Sequence, residues 1–322
     1  MTEVPLRHRV MASLTEFFSK REEAKHHHQR PTAVQHLLGG TTAGVVTTTA
    51  LYPLDLVKTR YQVYDKGPSP YKSLITAFRT IAKDEGVLAL YQGLGPSLLG
   101  NAVAWGGFFY CYEKIKTAIR ARVPDGVELG PVHHLGAGYV AGAMMVLATN
   151  PVWMIKTRMQ LQDRKAKASG IRPYSGLIDA ARTITREEGP LALYKGAVPA
   201  LMLCGQGAVQ FSVYEWLKAR VPKQDENTPM ESLLMGGTSK VLSTLVTYPT
   251  QVIKSRLQQR GTAEEVQAGS SRYRGTLHCA AEIGRKEGPR GFFKGCLAYA
   301  VRAAPASAIT FVVYEEVVKA LG

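Results

Sequence analysis

Cysteine is scarce in this chain: there are 4 among 322 residues, Cys111, Cys204, Cys279 and Cys296, with no C-x-x-C spacing. The scarcity excludes a disulfide scaffold, and the spacing gives no thiolate zinc site. The first 30 residues lack the apolar core of a secretory signal and read as a flexible polar lead-in. Within them, the run His26-His27-His28 cannot put three adjacent imidazoles on one helix face, so no metal role is expected. No Ser, His and Asp set and no paired carboxylates gather in a recognisable motif, so an enzyme is not expected. The segment Gly136-Ala137-Gly138-Tyr139-Val140-Ala141-Gly142 has the glycines of a dinucleotide loop without the required spacing or a preceding strand.

Charge is missing too, in long stretches. Residues 37–54, 93–112, 135–155 and 196–214 contain no Asp, Glu, Lys or Arg; 232–253 is interrupted only by Lys240, and 295–314 only by Arg302. Each approaches the length a helix needs to cross a hydrocarbon layer about 30 Å thick, so the pattern predicts six spans. A mean hydropathy of -0.08 averages these stretches with very polar connections such as 65–72, 163–173 and 260–274. The net charge of +15 therefore belongs to loops at a membrane edge and does not point to nucleic acid. Gly, Ala, Ser and Thr are frequent within the spans, which suits helices packed closely around a wetted cavity.

What is present is a repeat. Pro53-Leu54-Asp55-Leu56-Val57-Lys58-Thr59-Arg60 recurs as Pro151-Val152-Trp153-Met154-Ile155-Lys156-Thr157-Arg158 and as Pro249-Thr250-Gln251-Val252-Ile253-Lys254-Ser255-Arg256, 98 residues apart in both steps. Upstream of the prolines stand Gly40, Gly138 and Gly236, then Gly44, Gly142 and Lys240, as helix seams. Downstream come Glu85-Gly86 to Tyr91-Gln92-Gly93, Glu188-Gly189 to Tyr194-Lys195-Gly196, and Glu287-Gly288 to Phe293-Lys294-Gly295. The repeats close on Tyr112-Glu113, Tyr214-Glu215 and Tyr314-Glu315. The expected fold is an all-α membrane protein with six transmembrane helices in three pseudo-threefold repeats. A polar segment, 1–30, precedes repeats at 31–125, 126–225 and 226–322, and each repeat carries a short amphipathic helix lying at the interface. Because each repeat crosses twice, both termini are expected on one side.

A proline inside a helix removes a backbone hydrogen bond and bends the chain, so Pro53, Pro151 and Pro249 are expected to tilt three helix ends together. Asp55, Lys58 and Gln62 then share one face immediately after the first bend. A charge at membrane depth is costly, so Lys240 and Arg302 are expected to face the cavity, where two cations favour an anionic solute.

In these motifs the sequence resembles the mitochondrial carrier family over about nine-tenths of its length. The resemblance implies a transporter of the mitochondrial inner membrane, multi-pass, with the termini on the intermembrane-space side, working as a monomer by alternating access between a cytoplasmic-side and a matrix-side gate. It implies a matrix gate of Asp55, Lys58, Gln62, Trp153, Lys156, Gln160, Gln251, Lys254 and Gln258, in which Asp55 would meet Lys156 and the glutamines brace the pairs. Trp153 and Gln251 stand where the family has acids, leaving Lys254 and Lys58 without carboxylates. A cytoplasmic gate would comprise Tyr112, Glu113, Lys116, Tyr214, Glu215, Lys218, Tyr314 and Glu315, with Glu113 reaching Lys218 and Glu315 reaching Lys116; Val318 takes the third basic position. Gly93, Gly196 and Gly295 would begin the even helices and hold cardiolipin, the expected structural lipid, on exposed amides.

Substrate contact points would fall at Gly100, Asn101, Met202, Leu203 and Arg302, joined by Trp105, Gln210 and Lys240. The first four are small, neutral or apolar, which leaves room for a large flat ligand charged at one end. The strings around Trp105 and Gln210 resemble the flavin and folate branch, which makes flavin adenine dinucleotide (FAD), another flavin nucleotide or folate the expected cargo rather than a cofactor. An NAD or pyrimidine-nucleotide carrier, in the peroxisomal membrane as another setting, is the alternative.

Overall fold

The computed structural model describes residues 33–63, 73–124, 129–162, 172–220, 229–260 and 273–321, and the His26-His27-His28 run lies outside them. Among the described residues the regular structure is helical throughout. The first repeat consists of α1 (Ala33–Val63), α2 (Leu74–Asp84), a single 3-10 turn (Val87–Tyr91) and α3 (Leu94–Arg120). The second has α4 (Pro131–Gln160), α5 (Leu177–Glu188), a turn (Pro190–Tyr194), α6 (Ala197–Cys204) and α7 (Gln206–Lys218). The third has α8 (Pro229–Leu257), α9 (Thr276–Glu287), a turn (Pro289–Phe293) and α10 (Cys296–Ala320). Pro53, Pro151 and Pro249 each lie inside an unbroken helix.

Three stretches, Pro131–Gln160, Pro190–Lys218 and Pro289–Ala320, are long and apolar enough by themselves to cross a membrane. Helices α1, α3 and α8 match them in length at 31, 27 and 29 residues but are more polar. In α8 the polar side is Ser239, Ser243 and Thr244, all buried against neighbours, which is where small hydroxyl residues lower a helix's hydropathy without meeting lipid.

The short helices are amphipathic for a simple reason: apolar residues four apart fall on one face. Ala77 and Ile81 of α2 bury against Leu56 and Val57; Ala180 and Ile184 of α5 bury against Met154 and Ile155; Cys279 and Ile283 of α9 bury against Val252 and Ile253. Each packs just beyond a proline, so the same cluster recurs three times.

One expected span is interrupted. Residues 196–214 carry no charge, yet α6 ends at Cys204 and α7 starts at Gln206. Gly205 N–H donates to the Met202 carbonyl at 3.2 Å, a tighter turn than the α-helix allows. Glycines at 205 and 207 weaken the helix locally by about 1 kcal/mol each relative to alanine. The Gln206 side chain then donates to Thr244 Oγ1 at 3.2 Å, tying the break to α8.

The chain divides into two compact units, at Thr47/Thr48 and at Ala306/Ser307. In the smaller, α1 and α10 pack closely: a Cβ on Gly39 would come within 2.9 Å of Val318. Thr47 and Thr310 hydroxyls hydrogen-bond at 2.9 Å, Gln35 donates to the Leu321 carbonyl at 2.7 Å, and His36 bonds and stacks with Tyr314. In the larger unit α3 packs along α4, and α8 packs against α6 and α7.

Candidate functional site

The end of each odd helix, beyond its proline, is built by an arginine the gate scheme had not used. Arg60, Arg158 and Arg256 are all buried, and each grips the glutamate of its own repeat with two guanidinium nitrogens. The second contact, to Glu85, Glu188 and Glu287, measures 2.8 Å in every repeat. Such a bidentate pair is stronger than an ordinary hydrogen bond and fixes direction as well. Burial alone would raise the Glu188 carboxyl, but hydrogen bonds from Arg158 and Lys195 outweigh it and hold the group at about 2. Lys195 and Lys294 each add a bridge of 2.6 Å to Glu188 and Glu287, while Gln92 holds that position in the first repeat.

The same arginines join repeat to repeat. Arg60 Nε donates to the Gln160 carbonyl at 3.0 Å, Arg158 Nε to that of Gln258 at 3.3 Å, and Arg256 Nε to that of Gln62 at 3.0 Å, closing a ring. The glutamine side chains follow it. Thr59 donates to Gln160 Oε1 at 2.9 Å, Thr157 to Gln258 Oε1 at 2.9 Å, and Ser255 to Gln62 Oε1 at 2.8 Å. The three glutamines were expected to brace lysine–acid pairs, and instead they accept hydroxyl bonds between neighbouring repeats. A signal for this was in the sequence: the last three residues of each motif, Lys58-Thr59-Arg60 and its copies, repeat as tightly as the first.

At each ring position a glycine sits against the neighbouring repeat. Gly93, Gly196 and Gly295 have φ of 86°, 84° and 80°, a left-handed conformation that side chains disfavour. A Cβ there would lie 3.0 Å from the Lys156 carbonyl, Gln258 Cγ and the Lys58 carbonyl respectively. Gly93 and Gly196 directly precede α3 and α6, with their helix-start amides following.

The expected Asp55–Lys156 pair is not formed. Arg302 takes Asp55, with Nε 2.8 Å from Oδ1 but without hydrogen-bond alignment, so the contact is electrostatic. Competition explains the change, because the guanidinium of α10 reaches the same carboxylate. Lys156 instead lies over the rings of Trp153 at 5.4 Å and Tyr52 at 5.9 Å. Lys58 donates to Gln251 Oε1 at 3.3 Å and lies over Tyr299 at 4.4 Å, an aromatic partner the sequence pattern had not singled out. Lys254 has no hydrogen bond or ion pair among the described residues. Asp55, Lys156, Lys254 and Arg302 all lie within electrostatic reach of Lys58.

Of the other expected contact residues, Gly100 is buried against Trp153, whose ring would be 3.3 Å from a Cβ there. Trp153 is steadied by its indole N–H donating to Thr149 Oγ1 at 3.2 Å. Asn101, Leu203 and Gln210 are half-buried, while Met202 and Trp105 are exposed. Trp105 stacks on Phe109 at 6.0 Å. Lys240 is exposed; at about 100° per residue it shares its side of α8 with Gly236, Thr244 and Thr247, nearly opposite Leu242 and Val246.

At the other helix ends, Lys116 pairs with Glu113 of its own helix at 2.7 Å rather than leaving Glu113 for Lys218. The i, i+3 geometry makes that local contact easy to form on an exposed surface. Tyr112 OH meets His134 Nδ1 at 2.7 Å. Tyr214 is half-buried, and Glu215 and Lys218 are exposed. Tyr314 bonds His36, and Glu315 lies 3.9 Å from Lys319, the base one residue beyond Val318.

A family model described as mitochondrial carrier protein matches residues 29–122, 127–225 and 225–322. The chain belongs to the mitochondrial carrier family. Among its relatives, "Folate transporter 1, chloroplastic" of Arabidopsis thaliana is 43% identical over 301 residues, covering 89% of this chain and 95% of that one. "Nicotinamide adenine dinucleotide transporter 2, mitochondrial" of the same plant is 34% identical over 288 residues, covering 86% and 76%. Its "Peroxisomal nicotinamide adenine dinucleotide carrier" is 33% identical over 316 residues, covering 88% and 94%. As a mitochondrial carrier the chain is an all-α membrane transporter of six transmembrane helices in three repeats. The three more polar long helices are thus spans as well.

Proposed function

We propose that this carrier moves a bulky anionic metabolite with a flat ring system, a flavin nucleotide such as FAD or a folate, by alternating access between two gates. The observation that carries the reading is the meeting of Trp153 with Gly100 beside a set of cations that outnumber their carboxylates. Gly100 lets the half-buried indole of Trp153 pack close to its helix, which sets a flat apolar ring beside the lysine of its own motif, and unneutralised bases at membrane depth call for an anion. The 43% identity to a folate transporter supports the same chemistry. The NAD transporters among the relatives support a second reading, an NAD or pyrimidine-nucleotide carrier, since a dinucleotide also joins rings to negative charge.

In this reading the ends of α1, α4 and α8 form the matrix gate, and the Tyr-Glu steps form the cytoplasmic gate. The carrier works as a monomer in the mitochondrial inner membrane, with both termini toward the intermembrane space. Cardiolipin phosphates bind the amides after Gly93, Gly196 and Gly295, where helix starts attract anions. The relatives' printed locations include chloroplast, mitochondrion and peroxisome, so fractionation of cells carrying the tagged protein is the direct check of the membrane.

Liposomes reconstituted with the purified protein and loaded with FAD, folate, NAD or a pyrimidine nucleotide test the substrate. Uptake of radiolabelled FAD or folate, saturable and absent from empty liposomes, is expected. Transport of NAD or pyrimidine nucleotides alone would move the assignment to the second reading.

A further inference from the structure

Three lysines stand at corresponding positions of the three motifs, but the acids that would neutralise them do not. Among the described residues Lys58 has in direct contact an amide oxygen, from Gln251, and the faces of Tyr299 and Tyr248. Lys156 makes no hydrogen bond or ion pair among the described residues and lies over the faces of Trp153 and Tyr52. Lys254 has no partner among the described residues, and Cys204 and Lys156 are the groups whose fields it feels. Among the described residues the single carboxylate in reach, Asp55, is taken by Arg302. A set of half-buried cations this poorly matched is costly to gather, because each repels the others in a medium that screens weakly. A protein keeps such a set where a ligand supplies the missing charge.

We propose that Lys58, Lys156, Lys254 and Arg302 form an anion subsite, and that the phosphate or carboxylate end of the substrate lies there as the counter-charge that Trp153 and Gln251 omit. This rests on the reading of an anionic substrate and adds to it the place and the ligands of the charge. The lysines expected to serve the gate are thereby binding residues as well. Trp153 takes part twice: its indole fills the position of an acid and offers its face beside Lys156. The ligand is multiply charged, a diphosphate or a dicarboxylate, since a single negative group leaves most of the cations unmatched.

The subsite has a direct test in putting the omitted charge back. Gln251→Glu gives Lys58 a carboxylate within the reach its amide already has, and Lys254→Gln removes the partnerless cation. Both are measured on the full chain in detergent by thermal unfolding with FAD, folate, riboflavin or inorganic pyrophosphate, and in liposomes by uptake. The wild type is expected to be stabilised by FAD or folate and by pyrophosphate. Each variant is expected to weaken that binding by about tenfold, while riboflavin, which has no phosphate, changes little. If FAD or folate stabilises and is transported by the wild type, but the variants bind every ligand as the wild type does or lose riboflavin equally, the subsite is overturned and the substrate reading stands. If the wild type responds to no anion in the set, the substrate reading falls and the subsite with it. A lower unfolding temperature of Lys254→Gln without ligand would assign Lys254 a structural part instead and would also overturn the proposal.

Discussion

Arg302 Nε lies 2.8 Å from Asp55 Oδ1, which brings the base of the last long helix to the acid of the first motif. In sequence the two were assigned to different tasks, one to substrate and one to a gate. On the proposed reading their contact joins the tasks in one equilibrium: an anion that bound Arg302 would compete with Asp55, and the released carboxylate would be free for Lys156. Only differential affinity for the two arrangements can drive such a switch.

Arg302→Gln is therefore expected to cut uptake of the anionic substrate at least about tenfold, the equivalent of about 1.4 kcal/mol in binding. Asp55→Asn removes the competitor and is expected to lower the maximal rate while leaving KM unchanged or smaller. Initial rates over a range of external substrate separate the two. Wild-type uptake by Arg302→Gln would remove the arginine from the substrate site.

Glu188 provides a pH dependence. Its carboxyl is held at about 2 against an ordinary 4.5, so the folded state binds its proton less readily than the unfolded state does. The stability this contributes is complete above about pH 4.5 and is lost as pH falls toward 2. Thermal unfolding in detergent should show the loss in that window. Glu188→Gln should flatten that part of the profile and lower stability at neutral pH by about 3–5 kcal/mol, because the buried Arg158 keeps its charge without its partner. An unchanged unfolding temperature at pH 7 would contradict the pairing.

Gly196 tests the ring. An alanine there must adopt φ near 84° and bring its Cβ to 3.0 Å from Gln258 Cγ. The left-handed conformation alone costs about 1–2 kcal/mol. Gly196→Ala is expected to lower the unfolding temperature and to reduce the additional stabilisation given by added cardiolipin. Alanine at Gly207, where the backbone is helical and nothing lies within 4 Å, should have no such effect.

Trp105 is exposed, and among the described residues its ring contacts, to Phe108 and Phe109, lie within its own helix. If its face is offered to a flat ring, Trp105→Ala should raise KM for the aromatic substrate several-fold with little change in stability, since little buried area is lost. A stability loss comparable to a core truncation, with KM unchanged, would make it a packing residue.

The repeat and the helix–turn–helix plan of each repeat were legible because they depend on local chemistry. Charge-free stretches of helical length, apolar residues four apart and glycine at a left-handed turn have the same meaning wherever they fall in a chain. The break at Gly205 was visible only as two glycines, which a helix can accommodate; Thr244, 38 residues away, supplies the hydroxyl that ties Gln206, the first residue of α7, to α8. Neither glycine announces that partner.

The sequence by itself determined that three copies of one motif must meet, and which residues each copy brings. Tertiary structure decided who pairs with whom. Arg60 is 25 residues from Glu85 and 100 from the Gln160 carbonyl: the first contact folds one repeat back on itself, and the second needs two repeats side by side. Asp55 could meet Lys156 or Arg302 on any reading of charge. The choice follows from which cation the packed helices carry to within 3 Å, because electrostatic attraction between groups so placed depends on separation and not on position along the chain.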